Sequence, residues 1–316
     1  MGLTPKRYYS QSKSKHEKRG MVVEKVREAE EDRRRVKMTG LARQGGHMGW
    51  EVPERRITAR DIVLMPEDRF RFLVKSVYDL LPTPQNKKSW FGEPEECKLC
   101  GGCGSLAHIL SGCSVALAQG RYTWRHDQVL KEIAACVEVR RKQANETPKE
   151  KERDIKFVRP GEKKGKSETR VSSSYLDGAT DWKLSVDLDG RLKFPASIAE
   201  TNLRPDMLLV SERAKRVGIV ELTVPSEERV ELSGELKKAK YEELKIEGER
   251  KGWRVRLWTV EVGCRGFPAT SMANFLRDIG VGGGERSRSL KRIGEAAERC
   301  SKAIWNWSCI PGWGKG

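Results

Sequence analysis

Two apolar runs at residues 207–210 and 217–224, separated by a short polar stretch, restrict the fold of this chain more than any other feature. Each run has the length of a β-strand, and the polar stretch predicts a tight turn. A hairpin centred on residues 213–214 places Asp206 directly opposite Glu221. Side chains in such a pair have Cβ atoms roughly 4.5–5.5 Å apart. The two carboxylates could therefore share one hard cation such as Mg²⁺, which takes oxygen ligands.

The segment after the second strand predicts a helix that could complete this site. Residues 227–249 lack proline and are rich in helix-forming residues. Within them Lys237, Lys240 and Tyr241 share one face, because they lie at i, i+3 and i+4. A lysine beside the carboxylates could orient an attacking water or neutralise charge that develops on a phosphate. The alternative interpretation is a solvated, lysine-rich surface.

The charge of the chain favours an anionic polymer as its partner. The 316 residues include 62 Lys and Arg against 45 Asp and Glu, which gives a net charge of +17. A ribosomal-type protein or a membrane-surface protein would show the same balance. The sequence contains no apolar run of membrane-spanning length and no apolar signal-peptide core, so we expect a nuclear or cytoplasmic protein with no membrane partner. In that reducing environment, eight cysteines favour metal binding or free thiols over disulfides.

Composition along the chain predicts five segments. They are a basic arm that is flexible or helical, a helical linker, a cysteine-rich segment with a following helix, a disordered linker and an α/β domain: residues 1–45, 46–92, 93–142, 143–174 and 175–308. The disordered linker has too few apolar residues to order itself. The last segment predicts a small mixed sheet with helices outside it.

Hydrophobic periodicity predicts the remaining elements. Helices are expected at residues 22–37, 68–81, 124–141, 271–279 and 287–307. Further strands are expected at 182–188, 191–194 and 253–262, with Asp189-Gly190 as a hairpin turn between the first two.

The cysteine-rich segment predicts a structural zinc site. Cys97, Cys100, His108 and Cys113 form two close pairs of ligands, as in closed tetrahedral zinc sites. A segment this short has little core of its own, so a bound metal would stabilise its fold. The set that begins at Cys103 instead of Cys97 is also well spaced, so the spacing leaves one of these two sulfurs as surplus. With no open ligand position and no nearby general base, this zinc is not expected to be catalytic.

The sequence that follows the cysteines is basic and aromatic. His126 lies beside Arg125 and Trp124, a combination that favours an exposed contact with nucleic acid. The four cysteines outside the cluster show no ligand spacing and are expected to be buried thiols: Cys136, Cys264, Cys300 and Cys309.

These motifs resemble the C-terminal region of non-LTR (LINE-type) retrotransposon polyproteins that carry a restriction-like endonuclease. The resemblance rests on Gly-Ser-Leu-Ala-His-Ile-Leu-Ser-Gly-Cys at 104–113 and on Gly-Arg-Tyr-Thr-Trp-Arg-His-Asp-Gln at 120–128. In that family a reverse transcriptase is followed by a linker, a Cys-Cys-His-Cys knuckle and a nuclease of the PD-(D/E)xK type. The nuclease pattern is Arg/Lys-Pro-Asp and then an acid about a dozen residues later. Here Arg204-Pro205-Asp206 and Glu221 match it, with fourteen residues between the acids.

The resemblance covers about residues 45–307 and implies roles for individual residues. The implied fold of the last segment is the PD-(D/E)xK restriction-endonuclease-like α/β fold. Asp206 and Glu221 would hold Mg²⁺, Lys237 or Lys240 would be the catalytic lysine, and Tyr241 would adjoin the site. The family's knuckle favours Cys97 over Cys103 as the first zinc ligand. Residues expected to bind nucleic acid are Arg121, Trp124, Arg125, His126 and Arg204.

Two departures from the family pattern bear on activity. Thr223 occupies the position two residues after the acid, where many PD-(D/E)xK enzymes have lysine, so the lysine must come from the following helix. The sequence also contains no Tyr/Phe-x-Asp-Asp polymerase motif, so no reverse transcriptase activity is expected of this chain.

The resemblance implies a Mg²⁺-dependent endonuclease that nicks a DNA target and leaves a 3′-hydroxyl able to prime reverse transcription. Element RNA is a second expected partner. One alternative is a catalytically inactive, nucleic-acid-binding remnant, which the basic charge and the knuckle would serve equally well. Another alternative is a structural or interaction protein that a zinc ion stabilises, but this alternative does not explain why Asp206 lies opposite Glu221.

Overall fold

A four-stranded mixed β-sheet organises an α/β fold in the computed structural model. The structure describes residues 14–41, 45–50, 52, 55, 57–146, 174–188 and 190–313. Within these ranges, no helix has the length and apolar character needed to cross a membrane.

The strands lie side by side in chain order. They are β1 Lys183–Val186, β2 Met207–Ser211, β3 Arg216–Thr223 and β4 Arg254–Glu261. The first three run antiparallel, whereas β4 runs parallel to β3 and therefore needs a crossover helix between them. Met207 pairs with Val220, which is the register predicted from the two apolar runs.

Nine α-helices are assigned within the described residues. They are α1 Lys15–Thr39, α2 Ala59–Leu64, α3 Glu67–Val77, α4 Pro84–Phe91, α5 Ser114–Ala118, α6 Arg121–Glu146, α7 Val230–Arg250, α8 Thr270–Asp278 and α9 Gly283–Asn306. Helix α1 has no buried residue. Thr58 caps α2 with a reciprocal capping box to Asp61.

The sheet lies between two layers of helices. On one face, α7 packs Tyr241 and Leu244 against the odd-numbered side chains of β3, such as Ile219. On the other face, α6, α8 and α9 cover the even-numbered side chains, such as Leu222. Helix α7 comes very close to β4, because a Cβ placed on Gly248 would lie 2.7 Å from a methyl group of Val255.

Helix α6 joins the cysteine-rich segment to the sheet. Its residues Val129 and Ile133 are fully buried in the same core as Leu222 and Trp258 of the sheet. The predicted disordered linker begins at residue 143, but α6 continues to Glu146, and residues 147–173 lie outside the described part. The two segments predicted on either side of this linker therefore share one hydrophobic core.

One predicted strand is wrong. Residues 191–194 form no strand, and β1 pairs with β2 instead of returning through a hairpin. Asp189 of the predicted turn lies outside the described residues. The alternation of apolar and polar residues in this segment has another cause, because Leu192 and Phe194 pack into the core beneath α7.

Arg121 and Arg125 were predicted to contact nucleic acid, but both are buried, with side chains that hold the fold together. Arg125 donates hydrogen bonds to the carbonyl oxygens of Leu110 (2.7 Å) and Val224 (2.8 Å) and to Ser301 Oγ (3.0 Å). Arg121 donates to two carbonyl oxygens of the segment that follows α9. Both guanidinium groups are therefore used in hydrogen bonds inside the fold, and the expectation of exposed contacts is corrected.

We expect Arg125→Ala to destabilise the protein by about 3 kcal/mol, since it leaves several buried acceptors without a donor. Chemical denaturation would measure the loss. Arg288→Ala, at an exposed position of α9, is the matched control and should change stability by less than about 0.5 kcal/mol. Equal effects of the two variants would contradict the structural role of Arg125.

Candidate functional site

Asp206 and Glu221 lie together where β2 begins and β3 ends. Asp206 Oδ2 accepts a hydrogen bond of 2.7 Å from the backbone N–H of Leu222, and its own N–H lies 3.4 Å from Glu221 Oε2. The side chain of Glu221 is 2% exposed and that of Asp206 is 17% exposed. The pair therefore has one oxygen-rich face that solvent can reach through Asp206.

Lys237 is the lysine of α7 that reaches the acid pair. Its ammonium group forms an ion pair with Glu221 Oε1. Lys240 is exposed, and its Nζ lies 4.9 Å from the centre of the Tyr241 ring instead. The helical face predicted to carry both lysines thus brings only Lys237 into contact with a carboxylate.

Burial raises the pKa of Glu221, and the negative charge of Asp206 raises it further, while Lys237 acts in the opposite direction. Lys237 is the cation that contacts Glu221. A further cation beside the two acids would favour the ionised form of Glu221.

Tyr241 fixes the backbone that leads into Asp206. Its side chain is fully buried, and its hydroxyl donates a hydrogen bond of 2.9 Å to the carbonyl oxygen of Arg204. Burial, followed by the charge of Glu221, raises the pKa of this hydroxyl, so it stays protonated and remains a donor. Arg204 itself is exposed, and its guanidinium donates to the carbonyl oxygen of Gly190.

His126 lies in the acid site, which the sequence did not indicate. From α6, its Nε2 lies 3.3 Å from Asp206 Oδ2 and its Nδ1 lies 3.2 Å from Asp127 Oδ1. Burial lowers the pKa of this histidine, but the hydrogen bonds to Asp127 and Asp206 outweigh burial and raise it to about 9. His126 was expected to contact nucleic acid at an exposed position. It is instead a cationic neighbour of Asp206, and no local spacing links two residues so far apart in the chain.

The zinc-ligand prediction is supported by a compact cluster. Ligand atoms of Cys97, Cys100, His108 and Cys113 all lie within 4.8 Å of one another. The Sγ atoms of Cys97 and Cys113 are 4.0 Å apart, and Cys100 Sγ is 3.2 Å from His108 Nε2. Tetrahedral zinc with bonds of about 2.0–2.3 Å separates its ligand atoms by roughly 3.3–3.8 Å. This soft donor set could therefore bind a zinc ion, with Cys103 exposed and outside the cluster.

The backbone around the cluster is fixed by hydrogen bonds from both sides. A tight loop forms as Cys97 N donates to Gly102 O and Gly101 N donates to Cys97 O, with Gly101 at φ 73°. On the other side, the Tyr122 hydroxyl accepts from Cys113 N at 3.1 Å and lies 2.9 Å from the carbonyl oxygen of Ile109. Tyr122 belongs to α6, so this one helix contacts the cysteine cluster through Tyr122 and Asp206 through His126.

The remaining predicted residues divide between the surface and the interior. Trp124 is partly exposed and makes an edge contact with Trp313 at a ring-centre distance of 5.5 Å. Of the four other cysteines, Cys136, Cys264 and Cys300 are buried as expected, whereas Cys309 is exposed.

Zinc content should distinguish the two possible first ligands. We expect Cys97→Ser to lower the bound zinc well below one ion per chain, because it removes a ligand from the cluster. Cys103→Ser is the matched control and should retain the zinc of the unmodified chain. Elemental analysis of the purified proteins measures this, and the reverse pattern would assign the site to Cys103.

The charge of His126 should appear as a pH dependence of stability. Its pKa is raised by folding, so its contribution is fully present below pH 6.5 and is lost as pH rises through about 9. The contribution is roughly 3 kcal/mol at most. Denaturation at several pH values in magnesium-free buffer should show this loss in the unmodified chain but not in His126→Gln. His16→Gln, on the exposed helix α1, should behave like the unmodified chain; a loss that persists in His126→Gln would exclude His126 as its source.

The chain matches no known protein-family model, and a search of curated proteins finds no significant relative.

Proposed function

We propose that this protein is a Mg²⁺-dependent endonuclease that nicks DNA and has a restriction-like, PD-(D/E)xK arrangement. One observation carries the proposal: two acids on adjacent antiparallel strands and a lysine from the crossover helix converge at one point. The order of elements supports the fold assignment, because helix α7 and a parallel strand β4 follow the hairpin of β2 and β3 at which the two acids lie.

The residues fit a hard divalent cation. Asp206 and Glu221 offer carboxylate oxygens, which are the ligands that Mg²⁺ prefers. Burial and then the charge of Asp206 raise the pKa of Glu221, so an added cation would favour its ionised form. When bound, Mg²⁺ would lower the pKa of a water molecule and stabilise charge on a phosphate.

The side chains around the acids have distinct tasks. Lys237 pairs with Glu221, acts to lower the pKa of that carboxyl, and can stabilise negative charge as it develops on the phosphate. Tyr241 holds the backbone before Asp206, and His126 orients the Asp206 carboxylate from the opposite side. In hydrolysis a water oxygen forms the new bond to phosphorus, the bond from phosphorus to O3′ breaks, and O3′ takes a proton. The nick then carries a 3′-hydroxyl and a 5′-phosphate.

The expected partner is DNA, and the RNA of the retrotransposon element is a second expected partner. The net charge of +17 favours phosphate backbones in general. A metal bound by the cysteine cluster would stabilise the segment that leads into α6, and so would help to position His126 on that helix. Its role in this proposal is structural, because all of its ligand atoms face one another.

Nicking of supercoiled plasmid tests the proposal. We expect open circles with Mg²⁺ but not with EDTA, and a loss of about 100-fold or more in Asp206→Ala, Glu221→Gln and Lys237→Met. Lys238→Met is the matched control, since Lys238 is the exposed neighbour of Lys237 on α7. It should retain nearly full activity.

Two other outcomes would reject the proposal. If the unmodified chain does not nick but it and Asp206→Ala both retard DNA in a gel, the chain is a nucleic-acid-binding remnant. If nicking survives in Asp206→Ala, the activity arises elsewhere or from a contaminant.

A further inference from the structure

A groove of about 570 Å³ runs beside the acid site, between the beginning of α6, the end of β3 and the beginning of α7. His126 and Lys237 both line it, and each contacts one of the two acids. The groove therefore leads directly away from the position where a phosphate would be cleaved. Its volume is within the range of small-ligand sites, roughly 300–1,000 Å³.

The charge of the groove favours an anionic ligand. Among its described lining residues none is Asp or Glu, whereas Arg229 and Lys237 bring cationic side chains to it. Arg229 is exposed and forms no salt bridge with any described residue. An exposed guanidinium without a carboxylate partner is free to bind a phosphate.

The walls of the groove are also apolar. Leu117 projects from α5 on one side, and Leu232 and Leu236 project from one face of α7 on the other. Their exposed fractions are 60%, 53% and 64%, which is high for leucine. Apolar walls and cationic side chains suit a flat heterocycle attached to a phosphate.

We propose that the groove holds one unpaired nucleotide of the cleaved DNA strand, next to the scissile phosphodiester. The proposal rests on the proposed nuclease function and adds that the substrate is opened at the cleavage site. A base inserted between Leu117 and the leucines of α7 cannot stay stacked in a duplex, so it must be unpaired or flipped out. A second copy of this chain is a poorer occupant, because it would bring further positive charge to a cationic groove.

Binding measurements can test the groove separately from cleavage. Two DNA hairpins are compared in magnesium-free buffer; one is fully paired, and the other differs from it only by one inserted, unpaired nucleotide. We expect the unmodified chain to bind the second about tenfold more tightly, since base contacts contribute roughly 1–3 kcal/mol each. Ser233→Trp, which fills the groove from α7, should reduce this preference to less than about twofold.

Ile246→Trp is the matched control, because Ile246 is 40% exposed on the same helix and does not line the groove. It should keep the tenfold preference. Leu236→Glu, a second variant at an exposed position, should also abolish the preference by adding a negative charge. This second variant keeps the test decisive if Ser233→Trp fails to fold.

The groove assignment is overturned if the unmodified chain binds both hairpins equally, or if Leu236→Glu and a folded Ser233→Trp keep the preference of Ile246→Trp. Nicking of the same hairpins with Mg²⁺ separates the two proposals. Cleavage without a preference for the unpaired site rejects the groove alone. The nuclease function alone is rejected if the unmodified chain shows the binding preference, Leu236→Glu abolishes it, and the unmodified chain cleaves neither hairpin.

Discussion

The buried carboxylate of Glu221 is the constraint on which the rest of the site depends. A charged group that is 2% exposed is stable only beside an opposite charge. Lys237 supplies that charge from α7, so this helix must lie over β3 with one particular rotation about its own axis. The same rotation buries Tyr241 and brings Gly248 against Val255, where a larger residue would not fit. Charge pairing and close packing thus select the same arrangement.

Local features of the sequence predicted the parts of the structure that depend on neighbouring residues. The pairing of Met207 with Val220 followed from two apolar runs and a short turn, because a hairpin register is set locally. Spacing predicted that Cys100, His108 and Cys113 belong to one cluster, but it left Cys97 and Cys103 as alternatives for the fourth member. The predicted strand at 191–194 failed because alternating apolar residues also occur where an irregular segment covers a core.

Long-range contacts were not predictable from one sequence. His126 and Arg125 share a basic, aromatic stretch that resembles a surface for nucleic acid, yet one contacts Asp206 and the other is buried. The reason is the position of α6, which turns these side chains toward the end of the sheet. Periodicity predicted the helix, but it could not identify the surface against which the helix packs.

The shared core of α6 and the sheet has a consequence for modular exchange of this region. A shuffling event that joined residues 175–308 to another protein would transfer all the acids and the lysine. The transferred piece would lack helix α6, whose residues Val129 and Ile133 belong to the same core as Leu222 and Trp258 of the sheet. The transplanted piece would expose that apolar face to water and would lack His126. The cysteine cluster, helix α6 and the sheet therefore belong together as one structural unit.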